Sequence, residues 1–430
     1  MKYFGTDGIR GIPGDTLPYH LCKKLGNSLS KLNIKNIIMA EDTRESSSLI
    51  RSHLIEGITM AGINVTFLGV VSTPELIYYS MLYNSYAIMI TASHNPYTDN
   101  GIKIVSNGFK LSKDIEEMLE EFIDKEAYYI SNDKGILSFI DDSNKKYLEF
   151  ISKYINKYDL KIAVDAANGA SSYISKIVFD KVSNNVSYIA SNPNGRNVNL
   201  NCGSTNIDNI RQYVIDNKCD LGLAFDGDGD RLIAVSKNGN IIDGDVISYI
   251  LALYLNSKNK LNKNTIVSTI MSNLGIKKAL KEKNIETIEV NVGDKYVFDA
   301  LNKNNLSLGG EASGHIIVKD IFPTGDGILI SLLLLKALKE LNKTLDDFYN
   351  EIDFSYSKLI NIKVNDKERV MNNILLFNRR SEIEKLLGEF SKVIIRPSGT
   401  ENLIRLSIIT FDYKNADKYI NELKNMIENI

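Results

Sequence analysis

The sequence predicts an α/β protein of several domains that ends in a smaller α+β domain. Three observations lead to this fold class. The chain has 430 residues, too many for a single core of ordinary size. Short apolar runs alternate with longer segments of helical period, which is typical of βαβ units. In roughly the last 75 residues, apolar and polar side chains alternate with a period of two instead, which indicates a sheet with one covered face.

Apolar runs predict three groups of strands ahead of the C-terminal part. The predicted strands are Ile37–Ala40, Val65–Val70, Ala87–Ile90, Lys161–Val164, Val186–Ala190, Leu221–Phe225, Thr265–Ile270, Glu286–Val290 and Leu306–Leu308. In each of the three groups, the last strand leads into a polar loop rich in glycine or serine. We expect each of these loops at the carboxyl end of a parallel strand, where open α/β sheets bind ligands.

The C-terminal part follows a different plan. Period-two alternation predicts strands around Ile360–Val364 and Leu403–Ile408, with a third over Lys392–Ile395. Helical periodicity over Glu382–Phe390 and Asn415–Ile427 predicts two helices that cover the apolar face of this sheet.

The composition excludes several classes of protein. A formal net charge of −2 offers no broad basic surface for nucleic acid. Cys22, Cys202 and Cys219 are odd in number and show no CxxC spacing, so we expect free thiols in a reducing compartment. Met1–Gly11 lacks the apolar core of a signal peptide, and the most apolar run, Ile328–Leu335, is too short to span a bilayer. We therefore expect a cytoplasmic protein with no membrane or nucleic-acid partner.

The sharpest local signal is DGDGDR, directly after a predicted buried strand. Asp226, Asp228 and Asp230 repel one another by roughly 4 kcal/mol per pair at about 4 Å. A divalent cation such as Mg²⁺ relieves that repulsion, whereas a solvated acidic turn is the plainer alternative. An EF-hand is excluded, because the sixth loop position is Arg231 rather than Gly and the twelfth is Lys237 rather than Glu.

The loop TASHNP contains Ser93 and follows another predicted strand. A serine before Asn-Pro is usually only a turn former. A Ser–His hydrolase is disfavoured, because the nucleophile elbow needs glycines where Thr91 and Asn95 stand, and because adjacent His94 is expected to point away. The remaining hypothesis is that Ser93 carries a phosphoryl group. Lys103 supplies a nearby cation that can act on a hydroxyl proton or a phosphate.

The loop GGEASGH offers groups suited to sugar hydroxyls. Glu311 is an acceptor, and Ser313 is both a donor and an acceptor. His315 can relay protons near neutral pH, although a buried histidine with satisfied hydrogen bonds is an equal alternative from this loop alone.

Two further loops carry arginines that can hold phosphate. RPSGTEN begins with Arg396 and combines a guanidinium, two hydroxyls and a glycine into a potential anion site, and Arg405 on the next strand can join it. It is not a Walker A loop, and a plain surface loop is the alternative. Arg10 lies in the glycine-rich N-terminal motif FGTDGIRG.

The order of these motifs is more specific than any one of them. FGTDGIRG, TASHNP with DNGIK, DGDGDR, GGEASGH and RPSGTE follow one another as in the α-D-phosphohexomutase superfamily, which the chain resembles over essentially its whole length. The segments AANGAS, NCGSTN, LGLAFDGDGDRLIAV, IMSNLG and TGDGI are most similar to the phosphoglucosamine mutase branch of that superfamily.

This resemblance implies three related α/β domains with mixed sheets and a smaller C-terminal α+β domain around a central cleft. Residues 1–155 would carry the phosphoserine loop, 156–257 the metal-binding loop and 258–353 the sugar-binding loop. Residues 354–430 would form the phosphate-binding domain.

The resemblance also assigns roles to the motif residues. Ser93 would be the phosphoserine required for activity, and would hold one Mg²⁺ per chain together with the three aspartates. Proton transfer or charge stabilisation is implied for Arg10, Lys103 and His315, sugar recognition for Glu311 and Ser313, and distal phosphate binding for Arg396, Ser398, Gly399, Thr400 and Arg405.

The implied reaction interconverts glucosamine 6-phosphate and glucosamine 1-phosphate through glucosamine 1,6-bisphosphate, which feeds the synthesis of UDP-N-acetylglucosamine and cell-wall precursors. Ala312 stands where glucosamine-type members more often have Gln, and Asn402 where Pro is usual. Both departures bear on sugar preference. The alternatives are a phosphomannomutase or phosphoglucomutase, a non-catalytic sugar-phosphate sensor, and a phosphatase; a homodimer is compatible with all of them.

Overall fold

The structure is a computed structural model that describes residues 2–5, 7–125, 127–388, 390–398 and 402–430. Within these ranges the strands form four sheets that follow one another along the chain. The strands are β1 (Ile9–Gly11), β2 (Asn36–Glu41), β3 (Asn64–Val70), β4 (Tyr86–Ile90), β5 (Asn100–Ser106), β6 (Phe109–Lys110), β7 (Leu137–Phe139), β8 (Lys161–Asp165), β9 (Asn185–Ile189), β10 (Leu221–Phe225), β11 (Leu232–Ser236), β12 (Ile241–Ile242), β13 (Thr265–Thr269), β14 (Glu286–Val290), β15 (Leu308–Gly310), β16 (Ile316–Val318), β17 (Tyr356–Lys363), β18 (Ser391–Pro397) and β19 (Leu403–Thr410).

Helices alternate with these strands, as the apolar periodicity predicted. They are α1 (Tyr19–Ser28), α2 (Ser47–Met60), α3 (Thr73–Leu82), α4 (Lys113–Ile123), α5 (Lys145–Ile151), α6 (Ser171–Val182), α7 (Asp208–Asp216), α8 (Gly244–Ser257), α9 (Leu274–Glu282), α10 (Asp294–Asn304), α11 (Gly327–Leu341), α12 (Leu345–Asn350), α13 (Lys367–Met371), α14 (Ile374–Leu386) and α15 (Tyr413–Glu428).

Three sheets are mixed and the last is antiparallel, which confirms the predicted fold class. The strand orders are β1-β5-β4-β2-β3-β7 with β6 beside β5, then β12-β11-β10-β8-β9, then β14-β13-β15-β16. The C-terminal sheet has the order β17-β19-β18, and residues of α14 and α15 pack with it in one apolar core. This is the small α+β fold that period-two alternation indicated.

The three predicted site loops occupy equivalent places in the three mixed sheets. We call them the serine loop (Thr91–Asp99), the acidic loop (Asp226–Arg231) and the sugar loop (Glu311–His315). Each follows a strand with a parallel neighbour: β4 beside β2, β10 beside β8, and β15 beside β13. The predicted position at the carboxyl end of a parallel strand is therefore confirmed.

Each loop then leads into an antiparallel return strand, β5, β11 or β16. Apolar runs alone indicated parallel strands, because a buried antiparallel strand has the same continuous apolar pattern as a parallel one. The hairpin connection keeps both ends of each loop on neighbouring strands and so limits its freedom.

The predicted strand Leu306–Leu308 is displaced by two residues from β15. Glycine usually ends a predicted strand, yet Gly309 and Gly310 belong to this one because neighbouring side chains come very close. A Cβ on Gly309 would lie 2.8 Å from Val297 Cγ1, and one on Gly310 would lie 2.7 Å from Ser248 Oγ. The glycines thus serve packing rather than a turn.

The predicted helix Glu382–Phe390 is also wrong in its bounds, because α14 begins and ends earlier. Asn373 caps its N-terminus: Leu376 N donates to Asn373 Oδ1 at 3.0 Å. The helix stops before Gly388, whose φ of 97° is incompatible with further helix.

Contacts divide the chain into two compact units. The first comprises Met1–Ile270 and Ile288–Tyr349, and contains the serine, acidic and sugar loops. The second comprises Met271–Thr287 and Asn350–Ile430, and contains the antiparallel sheet. The finer division at residues 155, 257 and 353 stays a prediction. None of the helices in the described ranges is both long and apolar enough to cross a membrane.

Candidate active site

Ser93 lies in a strained turn after β4. Its φ is 52°, in the left-handed region that residues with a β-carbon rarely adopt. Ser93 N donates to Thr91 Oγ1 at 2.9 Å, and the buried Ser93 Oγ donates to Asp226 Oδ2 at 2.6 Å. The turn therefore directs the hydroxyl at the acidic loop.

The acidic loop gathers three buried carboxylates. One oxygen from each of Asp226, Asp228 and Asp230 lies within 4.8 Å of the other two. Asp228 Oδ1 and Asp230 Oδ1 are buried without a hydrogen-bond partner. Gly227 permits the serine loop to approach, because a Cβ at this position would lie 2.6 Å from Ser93 O.

The electrostatics of this cluster favour a bound cation. Burial, followed by the charges of Asp230 and Asp228, raises the pKa of Asp226 well above its ordinary value. A buried carboxylate oxygen without a hydrogen-bond partner is costly, and the acidic loop contains two of them. These oxygens fit a hard divalent cation, and three protein ligands leave coordination positions open for water or phosphate.

Lys103 on β5 lies against the same cluster. Its Nζ is 2.8 Å from Asp228 Oδ2, 3.1 Å from Asp7 Oδ2 and 3.6 Å from Asp230 Oδ2. Burial alone would lower the pKa of Lys103, but the charges of these carboxylates outweigh it and raise the pKa well above its ordinary value. Lys103 is therefore a fixed positive charge rather than a free base.

Arg10 on β1 contacts the serine loop from the N-terminal motif. Its Nη1 donates to Ala92 O at 3.2 Å and to Asn95 Oδ1 at 3.3 Å, and its Nη2 pairs with Asp7. Arg10 Nε is buried without a partner. Arg10 and Ser93 border the same cavity, and a guanidinium there suits a phosphate.

His315 in the sugar loop contacts the acidic loop. Its Nδ1 lies 3.6 Å from Asp230 Oδ2. Burial alone would lower the pKa of His315, but the charge and hydrogen bond of Asp230 raise it to about 9. Gly325 N donates to His315 Nε2 at 3.3 Å, so Nε2 is an acceptor in this structure while Nδ1 faces Asp230. The sugar loop thus brings His315 to the acidic loop, and its part in proton transfer stays a prediction.

A cavity of about 480 Å³ opens beside Ser93. Its wall includes Arg10, Arg231, Glu311 and Ser313. Glu311 Oε1 accepts from a backbone N–H, that of Gly293, at 2.9 Å, which fixes the carboxylate at the wall. The volume and the mixture of charged and hydroxyl groups suit a small polar ligand.

The prediction that His94 points away from Ser93 is wrong. The prediction assumed an extended backbone, whereas Ser93 is left-handed, and His94 Nδ1 lies 3.4 Å from Ser93 Oγ. Burial, followed by the charges of Arg231 and Arg10, lowers the pKa of His94 to about 4. A neutral imidazole thus stands beside the serine hydroxyl.

Sequence reasoning also missed Asp7 and Arg231, although both lie inside motifs that it singled out. Burial would raise the pKa of Asp7, but Lys103, Lys110 and Arg10 hold it well below its ordinary value. Arg231 Nε lies 3.9 Å from Asp230 Oδ1 and borders the cavity. Asp7 and Arg231 would have been found by considering every charged residue in each motif.

The predicted distal phosphate residues belong to the second unit. Arg396 and Arg405 stand directly opposite each other on β18 and β19. Burial, followed by the charge of Arg405, lowers the pKa of Arg396, and Arg405 Nε is buried without a partner. Ser398 is buried at the end of this pair, while Gly399 and Thr400 lie outside the described residues. Two facing guanidiniums favour an anion.

Family models match the chain in four consecutive segments. They are described as phosphoglucomutase/phosphomannomutase alpha/beta/alpha domain I (residues 1–130), domain II (139–239), domain III (243–354) and C-terminal domain (359–426).

Relatives are similar over nearly the whole chain. A phosphoglucosamine mutase of Shouchella clausii is 40% identical, covering 99% of this chain and 98% of its own. A phosphoglucosamine mutase of Limosilactobacillus reuteri is 42% identical, covering 94% and 93%.

Solved structures share the fold at lower identity. A phosphoglucomutase/phosphomannomutase family protein from Burkholderia thailandensis has a TM-score of 0.82 at 21% identity, covering 98% of this chain and 96% of its own. Aspergillus fumigatus N-acetylphosphoglucosamine mutase, solved with GlcNAc-6P and magnesium, has a TM-score of 0.64 at 15% identity, covering 99% and 95%.

Proposed function

Because the chain belongs to the phosphoglucomutase/phosphomannomutase family, we propose that it is an isomerase that interconverts glucosamine 6-phosphate and glucosamine 1-phosphate through a phosphoserine at Ser93. The observation that carries the chemistry is the 2.6 Å hydrogen bond from Ser93 Oγ to Asp226 Oδ2 beside two unpartnered carboxylate oxygens. The sugar is supported by relatives about 40% identical over the full chain, which are phosphoglucosamine mutases.

Phosphoryl transfer at Ser93 exchanges one ester bond for another. The P–Oγ bond breaks, a bond forms between phosphorus and a sugar hydroxyl oxygen, and the proton of that hydroxyl passes on balance to Ser93 Oγ. A bisphosphate results, and the reverse transfer of its other phosphate regenerates phosphoserine. Arg10 and Lys103 neutralise charge on the moving group, and His315, which contacts the acidic loop, is proposed to assist proton transfer.

The metal proposed for the acidic loop is Mg²⁺. Asp226, Asp228, Asp230 and a phosphate oxygen on Ser93 would hold it, and the Aspergillus relative was solved with magnesium. The ion would supply positive charge for the transferring phosphate.

For the phosphate not being transferred, the proposed anion-binding residues are Arg396, Ser398, Gly399, Thr400 and Arg405. Sugar hydroxyls are proposed to bind Glu311 and Ser313, which border the cavity.

Intact mass spectrometry with a mutase assay tests the proposal. After incubation with a sugar 1,6-bisphosphate, the protein should gain one phosphoryl group, located in the Ser93 peptide. Ser93→Ala should lose the added mass and the mutase activity together. Unchanged activity in this variant would remove Ser93 from the chemistry, and a protein that binds the sugar without turnover would be a sensor.

Substrate comparison separates the remaining alternatives. We expect glucosamine 1-phosphate to have a higher kcat/KM than glucose 1-phosphate or mannose 1-phosphate. Preference for either neutral sugar would contradict the substrate assignment. Steady release of inorganic phosphate would indicate a phosphatase instead.

A further inference from the structure

Arg44, in the loop after β2, is fully buried and belongs to none of the three site loops. A guanidinium has five N–H donors, and each of those of Arg44 has an acceptor. Its Nε donates to Asp42 Oδ2 at 2.9 Å. The other four donate to backbone carbonyls of the serine loop: Ser93 at 2.8 Å, Asn95 at 2.9 Å, Asp99 at 2.9 Å, and Pro96.

The same ion pair also fixes the amide side of Ser93. Thr91 Oγ1 accepts from Ser93 N at 2.9 Å and donates to Asp42 Oδ2 at 2.6 Å. Asp42 therefore reaches Ser93 N through one hydroxyl, while Arg44 binds Ser93 O directly. Both polar backbone atoms of the residue are tied to one buried pair.

A second donor reaches the carbonyl from another part of the first unit. Asn199, in the segment between β9 and α7, donates its Nδ2 to Ser93 O at 2.8 Å and to Asn95 O at 3.0 Å. Gly227 lies against the same carbonyl oxygen. Ser93 O is thus held on three sides, and its rotation would break two hydrogen bonds.

We infer that Arg44 is a positioning residue for the phosphoryl carrier, and that Asn199 is a second positioning residue that binds the same carbonyl oxygen. This inference rests on the proposed function. A left-handed serine is strained, and the carbonyl contacts supply the interactions that hold it there. Asp42 neutralises Arg44, so the guanidinium contributes geometry rather than net charge at the phosphate. Its role is to keep Ser93 Oγ facing the acidic loop.

Arg44→Lys and Asn199→Ala test the inference. Lysine keeps the charge but offers three donors from one point, so it cannot span four carbonyls. We expect single-turnover transfer from phospho-Ser93 to glucosamine 6-phosphate to slow by about 100-fold in Arg44→Lys, the effect of roughly 1 Å of misplacement. Asn199→Ala should slow it by about 10-fold. KM should change little in either variant.

Arg51→Lys is the matched control. Arg51 pairs with Glu41 of β2 and lies 4.6 Å from the ring centroid of Phe67 on β3. It therefore packs against the same sheet that carries the serine loop, but no contact to that loop is described. Its substitution should leave the transfer rate within about twofold. A thermal unfolding midpoint for each variant, with kinetics measured well below it, separates slow transfer from loss of folded protein.

The outcomes are distinct. Folded Arg44→Lys with wild-type transfer would overturn the inference and leave Arg44 as a structural residue only. If Arg44→Lys does not fold, the test rests on Asn199→Ala. Normal transfer in Asn199→Ala would also overturn the inference. If the proposed function is wrong, the wild-type protein will turn over substrate without phosphate on Ser93. That result is distinguishable from both outcomes for the variants.

Discussion

Thr73 and Lys103 contact the same oxygen of Asp228, so the other oxygen is the one that can bind a cation. Thr73 Oγ1 donates to Asp228 Oδ2 at 2.6 Å, and Lys103 Nζ lies 2.8 Å from that atom. The other oxygen, Oδ1, has no partner. Two donors on Oδ2 therefore leave Oδ1 as the oxygen that is available to the proposed metal.

Thr73→Val should weaken Mg²⁺ binding by about 10- to 100-fold, the usual effect of losing a partner of a metal ligand. Valine keeps the shape of threonine but cannot donate to Asp228. The measurement is mutase activity as a function of free Mg²⁺ after removal of metal with a chelator. Thr66→Val is the control, since the Thr66 hydroxyl bonds to the exposed Ser138 hydroxyl and lies outside the acidic loop. Equal Mg²⁺ dependence in both variants would contradict this role for Thr73.

The cysteines should be unreactive in the folded protein. Cys22, Cys202 and Cys219 are free and buried. Burial raises the pKa of Cys22 to about 12, and burial with the charge of Asp165 raises that of Cys202 to about 12. Alkylation by iodoacetamide at pH 8, followed by mass, should be slow natively and fast in urea. Rapid native modification of any of the three would refute this prediction.

At the scale of elements, β18 and β19 place two like charges opposite each other. Arg396 faces Arg405 across the antiparallel pair. Such a pair destabilises a sheet unless an anion lies between the charges. The strands therefore provide a reason for phosphate to bind here that does not depend on the loop beyond them.

Arg405→Met should reduce the stabilisation that inorganic phosphate gives to the protein. At a concentration ten times its Kd, a ligand stabilises the native state by about 1.4 kcal/mol. Scanning calorimetry with and without phosphate measures the shift in the unfolding transition, which should be smaller in Arg405→Met. Arg379→Met is the control, because Arg379 pairs with Glu422 in the same unit. A phosphate shift that is unchanged by Arg405→Met would exclude this pair as an anion site.

Local patterns predicted elements well where burial alone sets them. β10 was predicted at its observed bounds, because a strand buried on both faces has a continuous apolar run. β14 was also predicted at its observed bounds, although its sequence ETIEV alternates and its residues are only partly buried or exposed. The bounds of α14 depended on the Asn373 cap and on Gly388 instead, and periodicity contains neither.

The acidic loop could be predicted because three aspartates within five residues are unusual, whereas a serine before Asn-Pro is common and Ser93 was singled out mainly by the order of the motifs. Arg44 and Asn199 could not, since each is an ordinary residue in a loop whose partner lies far away in sequence. His94 was misjudged for the same reason: the left-handed conformation of Ser93 is imposed by those distant contacts.

At the scale of the whole molecule, one loop from each mixed sheet contributes to a single site. The serine loop supplies the hydroxyl, the acidic loop the carboxylates, and the sugar loop His315. Such convergence buries many ionisable groups, and some lie away from the site. Among the carboxyls whose pKa values burial raises are Glu41 and Glu75, at about 7, and Asp165 and Asp326, at about 6.

These buried carboxyls should make the protein less stable as pH rises from about 4 to 7. A carboxyl with a raised pKa in the folded state binds its proton more tightly there than in the unfolded chain. Its stabilising contribution is complete below the unfolded pKa and is lost as pH rises through the folded pKa. For Glu75, from an ordinary value of 4.5 to about 7, the loss is about 3 kcal/mol.

Glu75→Gln should flatten this dependence, because glutamine imitates the protonated carboxyl and does not titrate. In the wild type, Glu75 Oε2 accepts from Ser72 N at 2.8 Å, and Asn144 Nδ2 donates to Oε1 at 2.6 Å. These donors favour the anion, but burial outweighs them. Urea unfolding between pH 4 and 7 gives the free energy of unfolding for both proteins, with exposed Glu117→Gln as the control. If Glu75→Gln and the wild type have parallel pH profiles, Glu75 ionises in the folded protein at its ordinary pKa, and the hydrogen bonds rather than burial determine its charge.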